Sequence, residues 1–154
     1  MFASTSVRSR RGCWIVIRSF GADWWVRLKA NQGAAVRLFC FPCAGANASF
    51  FQSWPSGLPG LVEMFSLQLP GRANRILETP QSHLPTLVQA IGEAILPLLD
   101  RPALFFGHSL GAILSFELAR WLRRRYKLPA RLVVSGRCAP HLRARRCGRP
   151  RGPC

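Results

Sequence analysis

Apolar residues occur along this chain in short runs and in spaced sets, and each period predicts an element. Val36-Arg37-Leu38-Phe39-Cys40-Phe41 is a mostly apolar run closed by Pro42, which predicts a strand. Val62–Leu69 is a second such run, stopped by Pro70-Gly71. Ala103–Phe106 is apolar at every position, as a parallel strand buried on both faces should be. Arg131–Ser135 reads as a fourth strand. Between them the period changes. Leu84, Leu87, Val88, Ile91, Ile95 and Leu98 recur at three- and four-residue spacing, which predicts a helix over 84–99 with Pro97 tolerated only as a late kink. Ile113, Leu114, Leu118 and Leu122 predict a second helix from Gly111 to Tyr126. Its last turn carries Arg123, Arg124 and Arg125, which suit the negative end of the helix dipole. A short helix is expected at Phe50–Trp54, closed by Pro55 and Gly57.

Strands and helices therefore alternate. That order predicts an α/β fold, a parallel sheet with right-handed crossovers and helices on both faces. Ligands bind such sheets in crevices at the carboxyl ends of the strands. Residues 1–29 have no clear period and are expected to be a poorly ordered basic segment. The folded domain is expected over 30–142. Residues 143–154 use only Arg, Ala, Cys, Gly and Pro, so no packed element is expected there. They read either as a solvated basic tail or as translation in a wrong frame.

Charge alters this picture little. The 154 residues carry a net charge of +16, which points at first to an anionic partner. Residues 1–29 hold six basic groups and one acid, residues 30–117 four and five, and residues 118–154 twelve and none. The excess sits at the two ends, and Arg outnumbers Lys twenty to two, which looks like G- and C-rich coding. A non-catalytic basic binding protein built on the same core is the alternative this leaves open. The aromatics that stack nucleobases are nearly absent from its basic stretch, so no specific nucleic-acid role is expected. No run of 18 apolar residues exists, which predicts no transmembrane helix. Six cysteines without a secretion signal point to reduced thiols and a cytoplasmic location.

Candidate chemistry centres on Gly107-His108-Ser109-Leu110-Gly111, a G-x-S-x-G turn between a buried strand and an apolar-periodic helix. In that setting Ser109 is a nucleophile, and the backbone N–H of Leu110 faces a developing oxyanion. The loop after the first strand holds the small residues Ala44, Gly45 and Ala46, whose N–H groups can approach a ligand closely. Cys40-Phe41-Pro42-Cys43 is a C-x-x-C, for which a redox dithiol is the alternative use. Cys40 lies within a strand, a poor place for an attacking thiolate.

Leu38-Phe39-Cys40-Phe41-Pro42-Cys43-Ala44-Gly45 with Phe51 and Trp54 resembles the opening of the type II thioesterases. So do Gln68-Leu69-Pro70-Gly71-Arg72 with Arg75, Gly107–Ala112, and Ser135-Gly136-Arg137 with Ala139-Pro140-His141. The match covers residues 36–142 in order. It implies an α/β-hydrolase fold lacking its last strands and lid, with Ser109 as nucleophile and Leu110 and Ala44 as oxyanion donors. It implies hydrolysis of acyl groups from the phosphopantetheine of acyl or peptidyl carrier proteins of nonribosomal peptide and polyketide synthases, with no cofactor. The family completes its triad with an Asp and a His downstream. After Ser109 this sequence holds one acid, Glu117, and one imidazole, His141, and neither matches those positions. A C-terminally truncated, poorly catalytic and aggregation-prone chain is the expectation, with Arg131–Ser135 as an exposed sheet edge.

Overall fold

The computed structural model describes residues 5–8, 14–17, 24–126 and 131–135. Strands β1 (Thr5–Arg8) and β2 (Trp14–Ile17) pair antiparallel as a two-stranded sheet. The main sheet contains β3 (Trp25–Lys29), β4 (Val36–Phe41), β5 (Val62–Leu67), β6 (Ala103–His108) and β7 (Arg131–Ser135). Their spatial order is β3-β5-β4-β6-β7. The four strands expected from the sequence are all present and mutually parallel, with Phe41 opposite Gly107 and Gly107 opposite Val134.

The sheet is nevertheless mixed. Trp25–Lys29, which the sequence places in the N-terminal segment 1–29, is its antiparallel edge strand on β5. Residues 30–35 are too short a link for a parallel crossover, which takes a dozen residues or more. Trp25 is buried and meets Phe39 and Phe41 edge-on at 5.1 and 5.4 Å between ring centroids. At the other end of the strand, Lys29 Nζ donates to the Leu58 and Pro59 carbonyls at 2.7 and 2.9 Å.

Helix α1 spans Leu84–Ile95 and α2 spans Leu110–Tyr126. A 3-10 turn at Leu96–Leu98 absorbs Pro97, as its position predicts. The two faces of the sheet are covered unequally. Both α-helices lie over one face, where Phe39, Phe41, Phe65, Leu67 and Phe105 meet Leu87, Ile91, Leu114 and Leu118 in the main core. Among the described residues, the opposite face, with Cys40 and Met64, carries only 3-10 turns at Ala48–Phe51 and Trp54–Gly57, which take the place of the expected helix at Phe50–Trp54. On that face Phe51 and Trp54 pack against the Phe106 ring at 5.8 and 4.8 Å. Strand β7 is the terminal strand of the sheet, and Val133 on it is 55% exposed. Among the described residues, no helix is long and apolar enough to cross a membrane.

Candidate functional site

The carboxyl ends of β4, β5 and β6 lie side by side, and the candidate residues follow them. Between β6 and α2 the chain turns through a single residue, Ser109, at φ 54°. That left-handed conformation is uncommon outside glycine and is stored only where the surroundings enforce it. The enforcing contacts are visible at the flanking glycines. A Cβ on Gly111 would overlap the Phe41 carbonyl of β4. One on Gly107 would overlap the Gly111 carbonyl and come within 2.6 Å of Ala112 Cα. Strand and helix can approach this closely only without side chains at both positions. Ser109 itself is exposed, and Leu110 opens the 17-residue helix α2. The Leu110 N–H is one of the donors a helix leaves unpaired at its start, and the helix dipole points its positive end at Ser109.

The loop after β4 runs beside this turn. Phe41 pairs with Gly107, and Ala44 and Leu110 each follow that pair by three residues, past the ends of β4 and β6. Cys43-Ala44-Gly45-Ala46 closes as a turn through Ala46 N to Cys43 O at 3.2 Å, with Gly45 at φ 85°. That bond leaves the Ala44 N–H outside the turn's own pairing, on an exposed residue. An exposed serine at a helix N-terminus, with the start of that helix packed against the end of β4, is an arrangement suited to acyl transfer.

The C-x-x-C pair leads into this turn without a disulfide. Cys40 and Cys43 are both free, and burial of Cys40 in β4 pushes its thiol up to about 12. A thiol held protonated in this way does not attack or exchange.

The other candidates have contacts of their own. His83 Nδ1 is 2.8 Å from Thr86 Oγ1 at the start of α1. The His108 ring stacks on Phe50 with centroids 6.0 Å apart. Glu117 lies well along α2 and takes Arg120 Nη1 at 2.9 Å. His141 falls outside the described residues.

The segment after β5 does what its spacing alone does not reveal. Gln68 is buried, accepts from Ala48 N at 3.0 Å and donates through Nε2 to Arg72 O at 2.9 Å. It thereby ties the turn beyond Ala44 to the Pro70–Arg72 bend. Arg75 is also buried; it donates to Gln68 O at 2.9 Å, grips both Glu78 carboxylate oxygens at 2.7 and 2.6 Å and lies 4.3 Å over the Trp24 ring. Its guanidinium holds the Glu78 carboxyl below the usual range. The sequence marks these residues only as part of the resemblance carried by Gln68–Arg72 with Arg75, without showing what they bind.

Comparison with known proteins agrees with this geometry. The thioesterase-domain family model matches residues 36–152. Over 120 residues the chain is 46% identical to the gramicidin S biosynthesis protein GrsT of Aneurinibacillus migulanus, covering 77% of this chain and 47% of that protein. The type II thioesterase BorB, from the borrelidin biosynthetic cluster, superposes with a TM-score of 0.69 at 29% identity, over 74% of this chain and 46% of that one. The RedJ thioesterase of the prodiginine pathway in Streptomyces coelicolor does so with a TM-score of 0.66 at 39% identity, over 73% of this chain and 45% of that one. The chain spans about half the length of these relatives.

Proposed function

The chain belongs to the thioesterase-domain family, and on that footing we propose that it carries the nucleophile half of a type II thioesterase site. Its substrates are acyl groups on the phosphopantetheine of acyl or peptidyl carrier proteins, of the kind that serve nonribosomal peptide and polyketide synthases. The observation that carries this reading is the exposed Ser109 at φ 54° between β6 and α2.

Ser109 Oγ attacks the thioester carbonyl, and the carbonyl oxygen takes up negative charge beside the Leu110 and Ala44 N–H groups. The C–S bond then breaks, the pantetheine thiolate leaves, and water releases the acid from the serine ester. A thiolate leaves readily, so the demanding step is removal of the serine proton. In a serine protease, loss of the base costs about a millionfold in rate. The contacts of His83 with Thr86 and of Glu117 with Arg120 support the reading that this 154-residue chain, by itself, turns over slowly.

The test is intact-protein mass spectrometry after incubation with an activated acyl ester, beside thiol release from a short acyl-pantetheine thioester. A single acyl adduct at Ser109, lost in Ser109→Ala, with little steady thiol release, is the expected result. An adduct elsewhere overturns the nucleophile assignment. Rapid thiol release that Ser109→Ala abolishes overturns the slow-turnover reading alone.

A further inference from the structure

We infer that the groove between α1 and α2 is a docking surface for an acidic amphipathic helix of a partner protein. The groove encloses about 410 Å³. Leu84, Val88 and Trp121 supply its apolar wall, and Arg120, Arg124 and Arg125 stand exposed along it. Attraction to the helix dipole accounts for basic residues at this end of α2, but not for an open apolar groove beside them. Glu117 is the one acid in the lining, and Arg120 already holds it at 2.9 and 3.1 Å. Arg125 lies 5.3 Å over the Trp121 ring, and Arg124 has no ion-pair partner among the described residues. The face is therefore cationic around an apolar slot.

Charge decides the occupant. Residues 118–154 hold twelve basic groups and no acid, so this chain's own later residues are repelled from the groove. A second copy presenting the same face is repelled in the same way. The occupant must carry negative charge and an apolar anchor. The volume admits one or two apolar side chains rather than a whole helix. A helix lying across the groove fits this, with anchors four residues apart and acids on either side of them facing the arginines. Phosphate chains would answer the arginines but leave the half-buried Leu84 and Trp121 at the mouth of the slot uncovered. The surface is separate from Ser109 and does not depend on the reaction there.

The test uses the full chain and a fluorescein-labelled helical peptide of Glu and Ala carrying two leucines four residues apart. A photoreactive benzoylphenylalanine replaces one leucine in a second version. Expected are saturable binding, about tenfold weaker binding by Arg120→Glu/Arg124→Glu with the helical circular dichroism retained, and about tenfold weaker binding when the leucines become alanines. Crosslinks should fall within 84–88 or 117–125. Equal affinity for the leucine and alanine peptides would show attraction by charge alone and overturn the proposal. Crosslinks elsewhere overturn it too, as does random duplex DNA of matched charge displacing the peptide with the same sensitivity to charge reversal, which would make the face a nucleic-acid surface.

Discussion

Ser109 occupies a backbone conformation that costs a residue with a Cβ on the order of 1–3 kcal/mol. Its neighbours make that conformation compulsory, because Gly111 rests against the Phe41 carbonyl and Gly107 against the Gly111 carbonyl. Gly111→Ala has nowhere to put its methyl group except into β4 backbone. We expect it to destabilise the fold by about 3 kcal/mol or to prevent folding, read as the shift in a urea transition. A shift of a few tenths of a kcal/mol would mean that strand and helix are not in contact there. Cys40 makes a separate prediction. With its thiol pushed up to about 12 by burial, it should resist iodoacetamide at pH 8 in the folded chain and react after unfolding, as read by peptide mass spectrometry. Labelling of Cys40 at the rate of a free thiol would remove the argument against a redox role for the C-x-x-C.

At the scale of elements, the candidate site is held by loops rather than by helices. The turn carrying Ala44 leads into the 3-10 turn at Ala48–Phe51, and the Gln68 side chain fastens that turn to the bend after β5. Arg75 and Glu78 then lock the bend from below, against Trp24. Replacing Gln68 by Leu leaves the Ala48 N–H and the Arg72 carbonyl with a lost partner in a buried place. The expected cost is about 2 kcal/mol, with faster hydrogen exchange at the Ala48 amide and unchanged exchange in the middle of α2. Gln68→Glu should be worse, since it removes the donor and buries a charge. Equal exchange at Ala48 in wild type and Gln68→Leu would show that the clip does not hold the turn.

For the molecule as a whole, the sheet's stability depends on its least obvious strand. β3 brings Trp25 onto Phe39 and Phe41, and it brings Arg27 to a buried ion cluster at the foot of the sheet. In that cluster Glu63 meets Arg27 at 3.3 Å and Arg37 at 2.7 Å, while Arg37 also reaches Asp100 and the Leu98 carbonyl at the end of α1. A chain begun at residue 30, the boundary that hydrophobic periodicity suggests, loses the Trp25 ring contacts and the Arg27–Glu63 pair, while Arg37 keeps Glu63 and Asp100. We expect it to be less stable than one begun at residue 24 by at least about 3 kcal/mol, the typical cost of removing a large buried aromatic, measured by denaturant unfolding of the two chains. Matching midpoints would return β3 to the status of an appendage.

Much of this protein is legible in one dimension because its signals are local. The apolar runs at 36–41, 62–69, 103–106 and 131–135 and the helical periods at 84–99 and 111–126 are written within single segments. G-x-S-x-G is legible for the same reason, since its glycines answer a clash between adjacent elements. β3 was not legible, because Trp25-Val26-Arg27-Leu28-Lys29 is an unremarkable edge sequence until β5 pairs with it. Nor were the roles of Gln68 and Arg75, whose partners at Ala48 and Trp24 come from other parts of the chain. The unequal cover of the two sheet faces belongs to the same class, for it depends on which way each crossover passes. Hydrophobic period is a property of a segment, whereas partnership between segments exists only once the chain has closed on itself.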